Sequence, residues 1–234
     1  MKQGRTPQSD RPDEKLASAI AREIEERVVE LGWPVGHRLG REPELIERYK
    51  CSRQVIREAI RLLEFHGVAR MRTGPGGGLF VTSPDARSLA RGASLFLDYA
   101  KVDIHHVFNL RRRLEVDALD LAIDALDEAG EARLLATLAA DDVRTPGTQS
   151  VETEDIHSII AELSGNPALA LFIGVLVSIS QRRYSNPEIR AQIRTHSHPL
   201  LEHRRLVAAI IARDKARACA VLVDHLDHLK LSFS

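Results

Sequence analysis

The stretch Ser52-Arg53-Gln54-Val55-Ile56-Arg57-Glu58-Ala59-Ile60-Arg61-Leu62-Leu63 constrains this chain more than any other. Ser52 is a short hydroxyl residue at the head of a helical pattern, so it is expected to cap the helix by accepting a hydrogen bond from an otherwise unpaired backbone N–H. Ile56, Ala59, Ile60 and Leu63 recur at threes and fours and make one apolar stripe. Arg53, Gln54, Arg57 and Arg61 fall off that stripe and face outward. Two arginines one turn apart beside a glutamine, near a helix N-terminus, suit the base edges and phosphates of a DNA major groove.

The flanking segments give the helix a context. Leu16, Ile20, Ile24, Val28 and Leu31 mark an amphipathic helix from Asp13 to Gly32. Trp33-Pro34-Val35-Gly36 reads as a turn, and Glu42 to Tyr49 as a short helix burying Leu45, Ile46 and Tyr49. Two helices joined so tightly make a helix-turn-helix. Val68–Arg72 and Leu79–Thr82 read as two strands around the glycine-rich run 73–78, a hairpin or wing. A phosphate-loop reading of that run fails, because the Gly-Lys-Ser/Thr ending is missing. A hairpin tip reaching DNA, with Arg72 as its contact, is the better reading. The expected organisation is a disordered tail over 1–12, a winged helix-turn-helix domain over 13–83 and an all-helical domain over 84–234.

The second half shows helical periodicity and no strand signal. Helices are expected over 85–99, 103–126, 131–143, 154–164, 167–184, 198–212 and 214–231, separated by breaks such as Gly165-Asn166-Pro167 and Arg213-Asp214. Six or seven helices with short connections imply an antiparallel bundle, so the fold class is mainly α. Net charge is zero, which alone would speak against nucleic acid. The charge is unevenly placed, however: residues 1–83 carry +3 and the remainder −3. Between positions 48 and 61, Arg48, Lys50, Arg53, Arg57 and Arg61 are opposed only by Glu58. DNA affinity depends on such a local basic face. No apolar run is long enough for a membrane span. Two cysteines give no disulfide framework, and with no signal-peptide pattern the expected location is the cytoplasm. Cys51 at a helix start invites a redox-sensor reading, against which stands a small packed residue in the turn.

The residues 39–45, 51–63, Gly67-Val68 and the glycine-rich wing resemble the GntR family of bacterial transcription regulators. Asn109 to Glu115, Ile156-His157, Ser164 to Pro167, Glu202-His203 and Asp224-His225-Leu226 resemble the effector domain of its FadR-type branch. The resemblance implies a homodimer that binds a palindromic operator and acts as a repressor controlled by a small carboxylate effector. DNA contacts are expected from Arg41, Ser52, Arg53, Gln54, Arg57 and Arg72. Pro43 departs from the family, which usually has arginine there; Arg41 is the expected substitute.

Three histidines, His157, His203 and His225, lie on different expected helices, and imidazoles on facing helices can converge on one metal. Spacing alone does not single them out among ten histidines; the resemblance does. It implies a divalent ion (zinc, nickel or manganese), with Thr153 where the family has an aspartate and Glu154 one residue closer to His157. A metal-free pocket is the alternative. Arg111, and Arg183 on a later helix, are candidates to bind the effector carboxylate. For two of the three residues in Arg111-Arg112-Arg113, pairing with Glu115 and Asp117 at the surface is an equal alternative. A hydrolytic metalloenzyme using the three histidines is the second functional reading, but no general base accompanies them and the DNA-binding half would go unexplained.

Overall fold

A computed structural model describes residues 12–83, 86–142, 155–183 and 199–231. The chain divides into two compact units, Met1–Ser88 and Leu89–Ser234. In the first, α1 (Pro12–Glu30), β1 (Arg38–Gly40), α2 (Glu42–Tyr49), α3 (Arg53–Phe65), β2 (Ala69–Arg72) and β3 (Gly78–Val81) follow in order. The expected helix-turn-helix and hairpin are present, and the sheet has a third strand. β3 lies in the middle, antiparallel to β2 and to β1, in the order β1-β3-β2.

The stripe of α3 is buried as its spacing requires: Val55, Ile56, Ala59, Ile60 and Leu63 enter one core with Leu45 of α2 and Leu79 and Val81 of β3. The stripe of α1 is offset from expectation. Ile20, Ile24 and Val28 are buried, but Leu16 and Leu31 are exposed, and Ala17 and Ala21 take the inner positions. α1 packs against α3, and alanines allow the two backbones to come close where leucines would hold them apart. Pro43 sits in the first turn of α2, where its missing N–H costs nothing. Lys50 ends that helix in the left-handed conformation, φ 48°, and so turns the chain directly into α3. At the wing tip, a side chain at position 77 would place Cβ 2.4 Å from the Arg72 carbonyl oxygen, so only glycine fits.

The second unit is helical throughout its described residues: α4 (Ala86–Tyr99), α5 (Ile104–Ala125), α6 (Glu128–Asp142), α7 (Ile156–Leu163), α8 (Pro167–Arg183), α9 (Pro199–Ile211) and α10 (Lys215–Leu231). α5 is the central element, packed against α7, α8 and α10. Its inward face runs Phe108, Arg111, Glu115, Ala118, Leu119, Ala122 and Ile123. The expected breaks work through side chains. Asn166 Oδ1 accepts from Ala168 N at 3.0 Å to start α8, and Asp214 Oδ1 accepts from Arg217 N at 3.0 Å to start α10. Arg213 donates to the carbonyls of Ile123 and Leu126 at 2.8 and 2.6 Å, closing the open end of α5. These three helix ends are therefore satisfied, and the main apolar core is built from Phe108, Leu119, Ile156, Ile159, Leu206, Ile210 and Leu222, with Ala118, Ala161, Ile173 and Val177 forming a second cluster. No helix among the described residues is long and apolar enough to cross a membrane.

Candidate functional site

Two clusters carry chemistry, one in each unit. The first is the outer face of α3. Ser52 Oγ accepts from Val55 N at 3.3 Å, the cap expected from the sequence. Burying the stripe leaves Arg53, Gln54 and Arg57 exposed on the opposite side. Both arginines reach back to α2: Nε of Arg53 lies 3.3 Å, and Nε of Arg57 3.0 Å, from the same oxygen, Glu42 Oε1. Arg61 pairs within the helix with Glu58 at 3.0 Å. On the wing, the Arg72 guanidinium lies over the Phe80 ring, 4.7 Å from its centroid, which holds it extended on the strand. Arg41 and Glu42 form one wall of an open cleft of about 320 Å³ whose other wall is Met71, Arg72 and the 74–78 loop. Arg41 thus stands beside the wing, at the edge of the surface that α3 presents. Burial pushes the Cys51 thiol up from its ordinary value, and the side chain packs against the core. That favours the packed residue over the redox sensor.

The second cluster lies inside the helical unit. His157 continues the buried stripe of α7, His225 that of α10 and His203 that of α9. Each therefore points inward because helix periodicity places it there. His157 Nε2 and His225 Nε2 are 3.2 Å apart, and His203 Nε2 and His225 Nε2 3.3 Å. One ring nitrogen from each histidine lies within 4.8 Å of the other two.

Carboxylates aim two of these rings. Glu115 Oε2 is 2.6 Å from His157 Nδ1, and Glu202 Oε2 is 2.7 Å from His225 Nδ1. An ionised carboxylate can only accept, so Nδ1 donates in both rings and each Nε2 is turned toward the other histidines. Glu202 also accepts from His228 Nδ1 through its other oxygen at 2.8 Å. Burial alone would raise the Glu115 pKa, but the charges of Arg111 and His157 bring it down to about 2. Burial, reinforced by the other two histidines and only partly opposed by Glu202, lowers His225 to about 3. At neutral pH His225 is thus an uncharged imidazole, and with Nδ1 donating to Glu202 its Nε2 keeps the lone pair. A tetrahedral ion with metal–nitrogen bonds of about 2.0–2.1 Å separates its ligand nitrogens by about 3.3 Å. The three histidines fit such an ion in donor type, two of their nitrogen separations match that spacing, and the carboxylates behind them are the partners that metal-bound histidines commonly have.

The arginines divide sharply. Arg112 and Arg113 are exposed, while Arg111 is buried with its Nε donating to Glu115 Oε1 at 2.7 Å. The expected pairing with Glu115 exists, but inside the protein. Position 115 lies on the core face of α5, so this pair cannot be solvated. Thr153 and Glu154 lie outside the described residues, as does the side chain of Arg183. The carboxylate that precedes His157 in the described chain is Asp155. It caps α7 by accepting from His157 N at 2.8 Å, and its second oxygen accepts from Gln181 at 2.6 Å. Burial would raise Asp155, yet His157 and Arg111 outweigh it and keep the carboxyl below its usual range. The sequence reading missed the roles of Glu115, Glu202, Asp155 and Glu42. For Glu115 a signal existed: an acidic residue on a stripe that otherwise reads Phe108, Ala118, Leu119, Ala122 must have a buried partner.

A winged helix-turn-helix with an arginine-bearing third helix, joined to a helical domain with an internal polar cluster, is the architecture of a DNA-binding transcription regulator. Residues 16–81 match the model for bacterial regulatory proteins of the gntR family, and residues 106–228 match that for the FCD domain. The chain belongs to the GntR family, in its FCD-bearing branch. It is 23% identical over 220 residues to the Uxu operon transcriptional regulator of Escherichia coli K12, covering 88% of this chain and 82% of that protein. It is 26% identical over 219 residues to the uncharacterized HTH-type transcriptional regulator YcbG of Bacillus subtilis 168, covering 90% and 88%. The HTH-type transcriptional repressor NanR of Enterobacter sp. 638 is 25% identical over 226 residues, covering 94% and 85%. Among solved structures, a Streptococcus agalactiae GntR protein superposes with a TM-score of 0.59 at 24% identity, covering 92% of this chain and 99% of that one. These relatives are regulators and not enzymes, and the hydrolytic reading is set aside.

Proposed function

We propose that this regulator represses transcription by binding a palindromic operator as a homodimer, and that a small carboxylate effector, assisted by a divalent ion on His157, His203 and His225, releases it. The observation that carries the effector half is the convergence of three Nε2 atoms, with Glu115 and Glu202 orienting the rings of His157 and His225. A bound zinc, nickel or manganese ion would supply an open coordination position for a carboxylate oxygen. Arg111, joined to His157 through Glu115, places positive charge behind the same cluster and supports an acidic effector.

Repression is supported by the name of one relative, a transcriptional repressor. A dimer is supported by α4, which exposes Leu89, Leu95, Phe96 and Tyr99, and by the two half-sites that a single recognition helix per chain needs. Arg53, Gln54 and Arg57 read base edges in the major groove, Ser52 fixes the helix start, and Arg41 and Arg72 contact the backbone or minor groove. DNA binding of this kind places the protein in the cytoplasm. Effector binding weakens the complex only if it favours the conformation with lower DNA affinity.

Selection of duplexes from a random pool by the full-length chain tests this directly. The recovered sequences should have two-fold symmetry. Zinc together with a panel of small carboxylates should include a combination that weakens the complex by about fivefold or more. Asymmetric duplexes, or an affinity indifferent to every carboxylate with and without zinc, would contradict the proposal.

A further inference from the structure

We propose that Glu42 is a specificity-determining residue, a carboxylate on α2 that fixes how Arg53 and Arg57 of α3 meet DNA. This rests on the reading of those two arginines as base contacts. The observation is that both guanidinium groups converge on one oxygen, Glu42 Oε1: Arg57 Nε donates to it at 3.0 Å, and Arg53 Nε lies 3.3 Å from it as an ion pair. Arginine can present two different forks to a guanine: the Nη pair end-on, or Nε with one Nη side-on. With the Nε–H of Arg57 taken by Glu42, its end-on fork is the one left for a base, and the ion pair draws Arg53 toward the same carboxylate. Neither arginine has another partner among the described residues.

The two guanidinium groups also lie one turn apart on α3, where like charges repel and would splay the side chains. A carboxylate shared between them removes that repulsion and holds both in one arrangement. Glu42 is itself well placed to do so. Its side chain is only 24% exposed. It opens α2 beside Pro43, and the turn is closed by Arg41 N donating to Glu44 Oε2 at 2.7 Å. The carboxylate therefore comes from a fixed backbone position and not from a loose side chain on the same helix.

A negative charge at this surface has a second effect, because it opposes phosphate. It lowers the attraction of the arginines for any DNA backbone while leaving the aligned forks available for the right base pair. That repulsion lowers specific and non-specific binding alike. A charge effect alone would move both affinities together. A positioning effect changes their ratio.

The test compares full-length wild type with Glu42→Gln, Glu44→Gln, Arg53→Ala and Arg57→Ala on one duplex selected by the wild type and on a scrambled duplex of equal length. Glu44→Gln removes the same charge two residues away without touching either arginine. The expected result is that Glu42→Gln binds the scrambled duplex more tightly and lowers the specific-to-scrambled ratio about tenfold, the loss of one well-aligned bidentate contact. Glu44→Gln keeps the ratio. An unchanged ratio in Glu42→Gln, with Arg57→Ala lowering it, overturns the role of Glu42 and leaves the arginine reading standing. Unchanged ratios in both arginine variants overturn that reading, and this inference with it.

Discussion

The two clusters are built from the same pairing, a carboxylate set against a nitrogen cation or imidazole, in opposite surroundings. On α3 the pairs are exposed: the side chains of Arg53 and Arg57 are 70% and 59% accessible. Water screens them, so they contribute little to stability and are available to a partner. In the helical unit, Arg111, Glu115 and His157 are all below about 5% accessible. There the groups satisfy one another because nothing else can, and removing one leaves a charge stranded. The same chemistry thus serves recognition at the surface and a fixed polar centre inside.

The largest test of that contrast is Glu115→Ala. It strips Arg111 and His157 of their partner in the interior and should cost about 3–5 kcal/mol in urea unfolding. A loss below about 1 kcal/mol would show that these groups are solvated after all. Acid should act through the same centre. His225 is held at about 3 against an ordinary 6.5, and Glu115 at about 2 against 4.5. Both bind protons more weakly folded than unfolded, so their stabilisation is complete above the ordinary values and is lost as pH falls through each window. The unfolding midpoint of metal-stripped protein should drop first between 6.5 and about 3, with the Glu115 contribution following below 4.5. A His225→Leu variant should lose the first part of that drop; a curve identical to wild type would remove His225 as its source.

The exposed cluster predicts the reverse balance. Arg57→Ala should leave unfolding nearly unchanged while weakening the selected duplex by about 1–3 kcal/mol and relaxing preference at one base pair. An unaltered operator preference would take Arg57 off the list of base contacts. Ser52→Ala should cost about 1 kcal/mol in stability through the lost cap. The smallest effect belongs to Arg61, whose exposed pair with Glu58 is worth about 0.5 kcal/mol or less, so Arg61→Ala should be nearly silent in unfolding assays.

Legibility in the sequence followed range along the chain. The Ser52 cap, the α3 stripe, and the breaks at Asn166 and Asp214 depend on residues within a few positions, and periodicity and cap chemistry reveal them. β1 has three residues, Arg38 to Gly40, too few for alternation to register. The choice of Ala17 and Ala21 over Leu16 and Leu31 for the inner face of α1 depends on how closely α3 approaches, which no single-helix pattern contains. The carboxylate partners are farther still: Glu115 meets His157 across 42 positions, Glu202 meets His225 across 23, and Glu42 meets Arg57 across 15. The histidines came from family resemblance, since spacing alone could not separate them from the other seven in the chain. What aims them became visible only once the helices were packed.

The claim that most needs testing is that His157, His203 and His225 together hold a divalent ion. Elemental analysis of full-length protein, loaded with zinc and dialysed, should be set beside the same measurement on His203→Ala. Metal near one ion per chain in wild type and close to background in the variant is the predicted result. Equal metal content in the two proteins would contradict it.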